Sequence, residues 1–279
     1  MAEGEQVTAI SGATLEKAVS ELHEDPSTRL QYIDDLRKLV ENDEEAEDSV
    51  DHSVRRNDSK FLLRFLRAKK FDVDRARALY SNYYTFRAKH ADILGTLEPR
   101  ALDHVYRCGI VSLLEHKDKT GCAVMCFKPS LWPMDQYPLT DLVRGLLMLL
   151  ERLIEDEENQ VHGLRFVYNF DGVSLYQMFT VARSDLARNG IMVELFQEAF
   201  PGRFKGLHFI NQPWYISIPL SLLLPFFKEK FRERIRLHGV DYASLSQYID
   251  LQYVPSDFGG EGPPSSCKSI CTLMGLELN

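Results

Sequence analysis

Residues 164–171 read LRFVYNFD, closed by Gly163 on one side and Gly172 on the other. An apolar run of this length between two glycines is the pattern of a strand buried on both faces. GLHFIN (206–211) is a second short buried strand, and SDLARNGIMVELFQEAF (184–200) between them has helical spacing. Upstream, GIVSLLEH (109–116) and CAVMCFKP (122–129) flank the turn KDKTG and read as strands. LTDLVRGLLMLLERLIED (139–156) is a helix opened by Thr140, and its apolar character almost all round through Leu150 predicts burial. Helices alternating with apolar strands specify an α/β fold with a mostly parallel sheet.

The first third of the chain is helical. STRLQYIDDLRKLVEN offers Ser27 as a cap and Leu30, Ile33, Leu36, Leu39 and Val40 at helical spacing. The acidic ENDEEAEDSVD that follows reads as a solvated linker. SKFLLRFLRAKKFD repeats the helical period through Phe61/Phe65 and Leu62/Leu66, and VRRNDSKFLLRFLRAKK (54–70), basic with aromatics, is expected to be a surface helix with its apolar side buried. DVDRARALYSNYYTFRAKHADIL adds a helix with Ala76, Leu79, Tyr80, Tyr83 and Phe86 on its apolar face.

At 279 residues, 44% hydrophobic and 27% charged, the chain has ample material for a core. The start MAEGEQVTAISG lacks a basic segment followed by an apolar run, so no signal peptide is expected. Five cysteines suggest free thiols in a reducing compartment; the C-x3-C pairs Cys122/Cys126 and Cys267/Cys271 have poor zinc spacing and no companion His pair. The net charge of −8 hides an asymmetry. Residues 1–51 carry 15 acidic and 4 basic residues, a net of −11, which leaves 29 basic against 26 acidic in the remainder. Residues 203–238 alone carry 7 basic and 2 acidic side chains. A local positive field of this kind suits an anionic partner.

That field borders an oily stretch. From Asn211 to Phe227 there are 17 uncharged residues, interrupted by Pro213, Pro219 and Pro225. A spanning helix needs about 20 mostly apolar residues, so this segment does not span. Directly after it, Lys228, Lys230, Arg232, Arg234 and Arg236 occupy every other position. Placed on a helix, Phe227, Phe231 and Ile235 share one stripe with Lys230 and Arg234 along one edge, while Glu229 and Glu233 face away. An apolar stripe edged by cations fits a helix lying on an anionic bilayer. In FPGRFKG, Arg203 and Lys205 flank Phe204 and, in a strand, would point to one face.

LEKAVSELHEDP, FLLRFLRAKKFD, IEDEENQVHG, FPGRFKGLHFINQPWYI, PFFKEKFRERIRLHG and VPSDFGG occur in this order across residues 14–262. With them the chain resembles the CRAL-TRIO lipid-binding family, in the branch of the clavesins, cellular retinaldehyde-binding protein and α-tocopherol transfer protein, and within it the clavesins most. The resemblance implies a flexible acidic leader (1–13), an N-terminal helical unit (14–98), a CRAL-TRIO domain (99–262) with an apolar cavity floored by the sheet, and a peripheral tail (263–279). It implies a mobile gate helix at 214–227, with Trp214, Ile218, Leu222, Leu223, Phe226, Phe227 and Phe231 as gate and membrane contacts. It places a phosphatidylinositol bisphosphate headgroup among Arg203, Lys205, Lys230 and Arg234, and a hydrophobic ligand among Val143, Leu146, Leu147, Leu150, Leu175, Leu195, Phe200, Phe204 and Leu207. Leucines at 146 and 150 stand where the tocopherol-transfer relative has serines, which counts against tocopherol itself.

No G-x-S-x-G elbow, phosphate loop or H-E-x-x-H is present, and no recognised nucleic-acid module. His208 and His238 read as hydrogen-bonded structural histidines. No enzyme, cofactor or metal is therefore expected. Two functions fit. One is a lipid carrier that docks on phosphoinositide-bearing membranes, cytoplasmic and peripherally attached to endosomal or trans-Golgi surfaces. The alternative is a phosphoinositide-dependent trafficking adaptor with no transported ligand, its acidic leader available to a protein partner.

Overall fold

The computed structural model describes residues 10, 12–41, 55–95, 97–185, 190–216, 220–221 and 224–278. The chain divides into two compact units. The first comprises residues 1–92, 154–162 and 194–203, and the second residues 93–153, 163–193 and 204–279. Two segments that sequence assigns to the lipid-binding domain, 154–162 and 194–203, thus pack with the N-terminal helices.

The first unit is built on α1 (Gly12–Leu22), α2 (Arg29–Glu41), α3 (Ser59–Ala68) and α4 (Val73–Lys89). Aspartates start two of them: Asp58 accepts from the Phe61 backbone N–H, and Asp72 from that of Arg75. Ser27 is not the cap expected for α2. Its Oγ and N–H are instead donated to Asp25 Oδ1 at 2.7 and 2.8 Å, and α2 begins two residues later. Ile33, Leu36, Phe61, Leu62, Phe65, Leu66, Leu79 and Tyr80 belong to one core, with Phe61–Phe65 and Phe65–Tyr80 ring centroids 5.2 and 5.3 Å apart, edge to face.

The helix expected within 54–70 buries its apolar side as expected, but burial reaches eight of the ten α3 positions, Arg64 and Arg67 among them, so it is not a surface helix. The Arg67 guanidinium grips Glu24 with two bonds of 2.7 and 2.8 Å and reaches Glu157 at 2.9 Å and Gln160 at 2.8 Å. Gln160 in turn donates to the Ile154 carbonyl at 2.8 Å. The charge can be buried because Nε, Nη1 and Nη2 each donate to an acceptor in the plane of the guanidinium. Where the helix expected over 184–200 is described, an α-helical turn, Ile191–Glu194, passes into a π-helical turn, Leu195–Ala199.

The second unit holds a five-stranded sheet in the order β1 (Val111–Leu113), β2 (Ala123–Phe127), β3 (Leu164–Asn169), β4 (Phe204–Ile210), β5 (Ile235–Gly239). β1 runs antiparallel to β2 and the other neighbours are parallel, as the alternation of apolar strands and helices requires. The β1–β2 turn is tied by Asp118, whose carboxylate accepts the backbone N–H groups of Thr120 and Cys122 at 2.7 and 2.8 Å. Successive side chains alternate between the two faces. Val124, Cys126, Val167 and Ile210 lie on one face in a core with Leu245, Ile249, Val254 and Phe258. Met125, Phe127, Phe166, Tyr168, Leu207 and Phe209 alternate onto the other.

Helix α5 (Leu139–Leu153) buries Val143, Leu146, Leu147, Leu149 and Leu150, as its composition predicts. Gly145 lets a neighbour come close: a Cβ there would lie 2.7 Å from Val105 Cγ1, and Tyr106 donates its hydroxyl to the Gly145 carbonyl at 3.2 Å. The tail after Gly262 is not peripheral. Ile270, Cys271 and Met274 are buried, and Arg107 holds the Glu277 carbonyl at 2.7 Å.

Candidate functional site

The basic stretch folds differently from the single helix expected of it. One turn, Glu229–Arg232, is helical, and Ile235 already begins β5. The stripe of Phe227, Phe231 and Ile235 therefore breaks at its third member. Cations at every other position are a period-two pattern, and strand pairing claims its second half: Leu207 donates its N–H to the Arg234 carbonyl at 2.9 Å, and Leu207 pairs with Ile235.

This pairing brings Arg234 against the start of β4, where its Nη1 donates to the Phe204 carbonyl at 2.5 Å. Lys205 sits at an irregularity in the same strand. Leu164 faces Phe204 and Arg165 faces Gly206, so Lys205 is the extra residue and simple alternation does not apply to it. Arg203 precedes the first residue of β4, so the regular strand expected to carry both Arg203 and Lys205 is not formed. Arg203 belongs to the first unit, where it donates to the Val161 carbonyl and pairs with Glu21 at 2.9 Å. Lys230 is exposed, whereas Lys205 and Arg234 are partly covered.

The apolar half is laid out as follows. Trp214 is 80% exposed and Phe226 is 71% exposed. Ile218, Leu222 and Leu223 lie outside the described residues. Phe231 is buried and stacks on the half-buried Phe227, centroids 4.9 Å apart and 9° from parallel, so it is a packing residue rather than a surface one. Tyr215 donates its hydroxyl to the Val173 carbonyl at 2.7 Å, tying the turn that bears Trp214 to the segment leading into α6 (Leu175–Arg183).

Helix α6 carries a signal that sequence reasoning missed. Ser174 and Gln177 form a reciprocal capping box at its start, yet none of its nine residues is buried. Tyr176 is 73% exposed, Phe179 59%, and Leu175 and Val181 are exposed as well. Leu175 was expected to line the cavity and instead lies on the surface. Large apolar side chains at positions 175, 176 and 179 of a helix with no buried residue could have marked it as an exposed apolar element.

Of the remaining expected cavity residues, Val143, Leu146, Leu147 and Leu150 lie on one side of α5 and are buried. Phe204 and Leu207 are buried on β4, with the Phe204 ring 5.7 Å from Phe166. Leu195 and Phe200 are buried in the first unit.

The opposite face of the sheet holds a polar chain. Arg165 is salt-bridged to Asp118 through Nε and approaches His208 Nε2 with Nη1 at 2.7 Å; His208 Nδ1 meets His238 Nε2 at 2.8 Å, and His238 Nδ1 meets Ser244 Oγ at 2.5 Å. Burial, reinforced by the nearby Arg165 charge, holds His208 down to about 3, and burial likewise lowers His238. Burial raises the Asp118 carboxyl, but Arg165 and the Cys122 N–H outweigh it and keep it below its ordinary value. Both histidines are therefore neutral structural members of one network, in keeping with their sequence reading. Among the described residues no helix is long and apolar enough to cross a membrane.

The chain matches the family models of the CRAL/TRIO domain over residues 107–260 and of the CRAL/TRIO N-terminal domain over residues 15–82. It is 35% identical over 254 residues to the Homo sapiens protein named alpha-tocopherol transfer protein-like, covering 91% of this chain and 72% of that one. It is equally 35% identical over 257 residues to Homo sapiens clavesin-2, covering 91% and 76%. The crystal structure of Sfh5 has the same fold at a TM-score of 0.56 and 15% identity, over 88% of this chain and 91% of that one. Helices followed by a mostly parallel sheet, two domain models in register and relatives across nine-tenths of its length together make this chain a member of the CRAL-TRIO family of lipid-binding proteins.

Proposed function

We propose that this protein carries one hydrophobic ligand and exchanges it at membranes that bear phosphoinositide. The observation that carries the reading is the exposed apolar surface of the second unit: Trp214, Phe226, Tyr176 and Phe179 present large side chains to solvent. Aromatic residues of this kind suit the headgroup level of a bilayer. Lys230, Arg234 and Lys205, near the β4–β5 junction, are the candidate cations for a bisphosphate headgroup. Arg203 belongs to the first unit, where Glu21 and the Val161 carbonyl engage it, and is left out of this reading. The ligand occupies the apolar side of the sheet, and no chemical step is involved. The cytosolic surface of endosomal or trans-Golgi membranes is the expected place of action.

Native mass spectrometry of the purified protein, followed by organic extraction, tests the cargo. One lipid at near one-to-one occupancy supports a carrier. A protein that is empty and refuses retinoids, tocopherols and phospholipids, yet floats with bisphosphate-containing vesicles, is a membrane-recruited adaptor instead.

A further inference from the structure

A cleft of about 170 Å³ opens beside β1, the end strand of the sheet. Ser112, Leu113, Glu115, His116 and Tyr253 contribute to its lining, all within the second unit. Ser112 pairs with Cys126, so the two side chains share the sheet face that packs on Leu245 and Val254, opposite the proposed ligand side. One wall is fixed by Ser265, which gives its N–H and its hydroxyl to the Asp257 carboxylate at 2.8 and 2.6 Å.

Three groups in this cleft are uncommitted. Ser112 is only 6% exposed, yet its hydroxyl makes no hydrogen bond among the described residues, where a buried hydroxyl ordinarily finds a partner. Glu115 is exposed and forms no ion pair among the described residues, and no described lysine or arginine lines the cleft. The third group is backbone. Leu114 donates its N–H to the Val124 carbonyl at 3.0 Å, and Lys128 to that of Ile110 at 2.8 Å. Antiparallel alternation therefore turns the Leu113 N–H and C=O away from β2, and neither has a partner among the described residues. Beside them Tyr253 stacks one face on His116, centroids 3.9 Å apart and 26° from parallel, and stays 39% exposed.

We propose that this cleft receives a lysine or arginine side chain from an extended segment of a partner protein, whose backbone pairs with Leu113. The Glu115 carboxylate and the Tyr253 ring both attract a cation, and the Ser112 hydroxyl accepts from its N–H groups. A strand edge with an open N–H and C=O takes an extended chain, which a free amine would leave unmatched. An acidic segment is disfavoured, because Glu115 repels it and no lysine or arginine of the lining answers it. The site is independent of the carrier reading and stands or falls apart from it.

The test titrates the full chain with the capped peptide Val-Thr-Lys-Thr-Val, its norleucine counterpart and a backbone N-methylated copy, followed by the amide NMR shifts of Ser112 and Leu113. The lysine peptide is expected to bind about 5- to 20-fold more tightly than the norleucine peptide, the scale of one exposed ion pair with one cation–π contact. Glu115→Gln, at an exposed position, should weaken the lysine peptide about 2- to 5-fold and leave the norleucine peptide unchanged. N-methylation should weaken binding with the lysine kept. Equal binding of the lysine and norleucine peptides, or a lysine peptide indifferent to Glu115→Gln, overturns the cation cleft. An N-methylated peptide that binds as well as the parent peptide overturns the pairing with Leu113. No shift of either amide with any peptide at millimolar concentration overturns the site altogether.

Discussion

His208 Nδ1 lies 2.8 Å from His238 Nε2, and neighbours on both sides impose one direction on that bond. Arg165 can only donate, so His208 accepts at Nε2 and carries its proton on Nδ1. His238 then accepts at Nε2 and donates from Nδ1 to Ser244, whose hydroxyl donates to the Asp241 carbonyl at 2.7 Å. A proton added to either ring would set two donors against each other.

Stability is therefore expected to fall on acidification. His208 binds its proton in the folded state only near pH 3, against about 6.5 in the unfolded chain. Between those values the unfolded state holds more protons, so stability is complete above pH 6.5 and declines as pH falls toward 3. One proton contributes a slope of up to about 1.4 kcal/mol per pH unit. Urea midpoints measured from pH 7.5 to 4 check this; a flat profile across that window would refute the neutral-histidine network.

Gly206 is the position that admits this network. A Cβ there would lie 2.6 Å from His208 Nε2 and 2.7 Å from Arg165 Nη1. Gly206→Ala is expected to cost about 1–3 kcal/mol, the range for overpacking a tight interior. The measurement is the denaturation midpoint, and a variant as stable as the parent would show that Arg165 yields freely.

In the first unit, Arg67→Met removes one side of a buried ion pair and leaves the fully covered Glu24 with Arg29 as its one remaining ion-pair partner among the described residues. The expected loss is about 3–5 kcal/mol. Joint replacement of Arg67 by Met and Glu24 by Leu should recover part of it, because no fully buried charge then remains, while Arg29 and Glu157, both slightly exposed, each lose a partner. Chemical denaturation of the single and double variants decides, and a double variant no better than the single would mean that Arg29 and Glu157 carry the network independently.

The strands were legible because their apolar runs are local. LRFVYNFD needs only its own residues and its bounding glycines to declare itself, and the same holds for GLHFIN and the helix at 139–153. Arg67 was not legible, since the acceptors that bury it come from Glu24, Glu157 and Gln160, distant in sequence and joined only by folding. The basic stretch failed for a different reason. Its residues satisfy both a helical wheel and a period of two, and the choice was made by pairing with β4, a partner no local pattern names. Leu175 was placed in the cavity by its position in the family resemblance, whereas its environment in this chain leaves it at the surface.

The exposed and buried aromatics should separate in a membrane-binding experiment. Tyr176→Asp with Phe179→Asp alters two side chains that face solvent, so the fold should be kept while flotation with phosphatidylinositol bisphosphate vesicles drops several-fold. Phe231→Asp places a carboxylate where a ring is stacked on Phe227 and buried, so it should destabilise the fold before it reports on membranes at all. Lys230→Ala, at an exposed position, should weaken flotation without a change in stability, and the parent's binding should itself fall as salt rises from 50 to 500 mM, values chosen to span Debye lengths of roughly 14 to 4 Å. Flotation that is insensitive to salt and to Lys230→Ala, but lost in the Tyr176/Phe179 variant, would assign docking to the apolar surface alone and remove the headgroup from the mechanism.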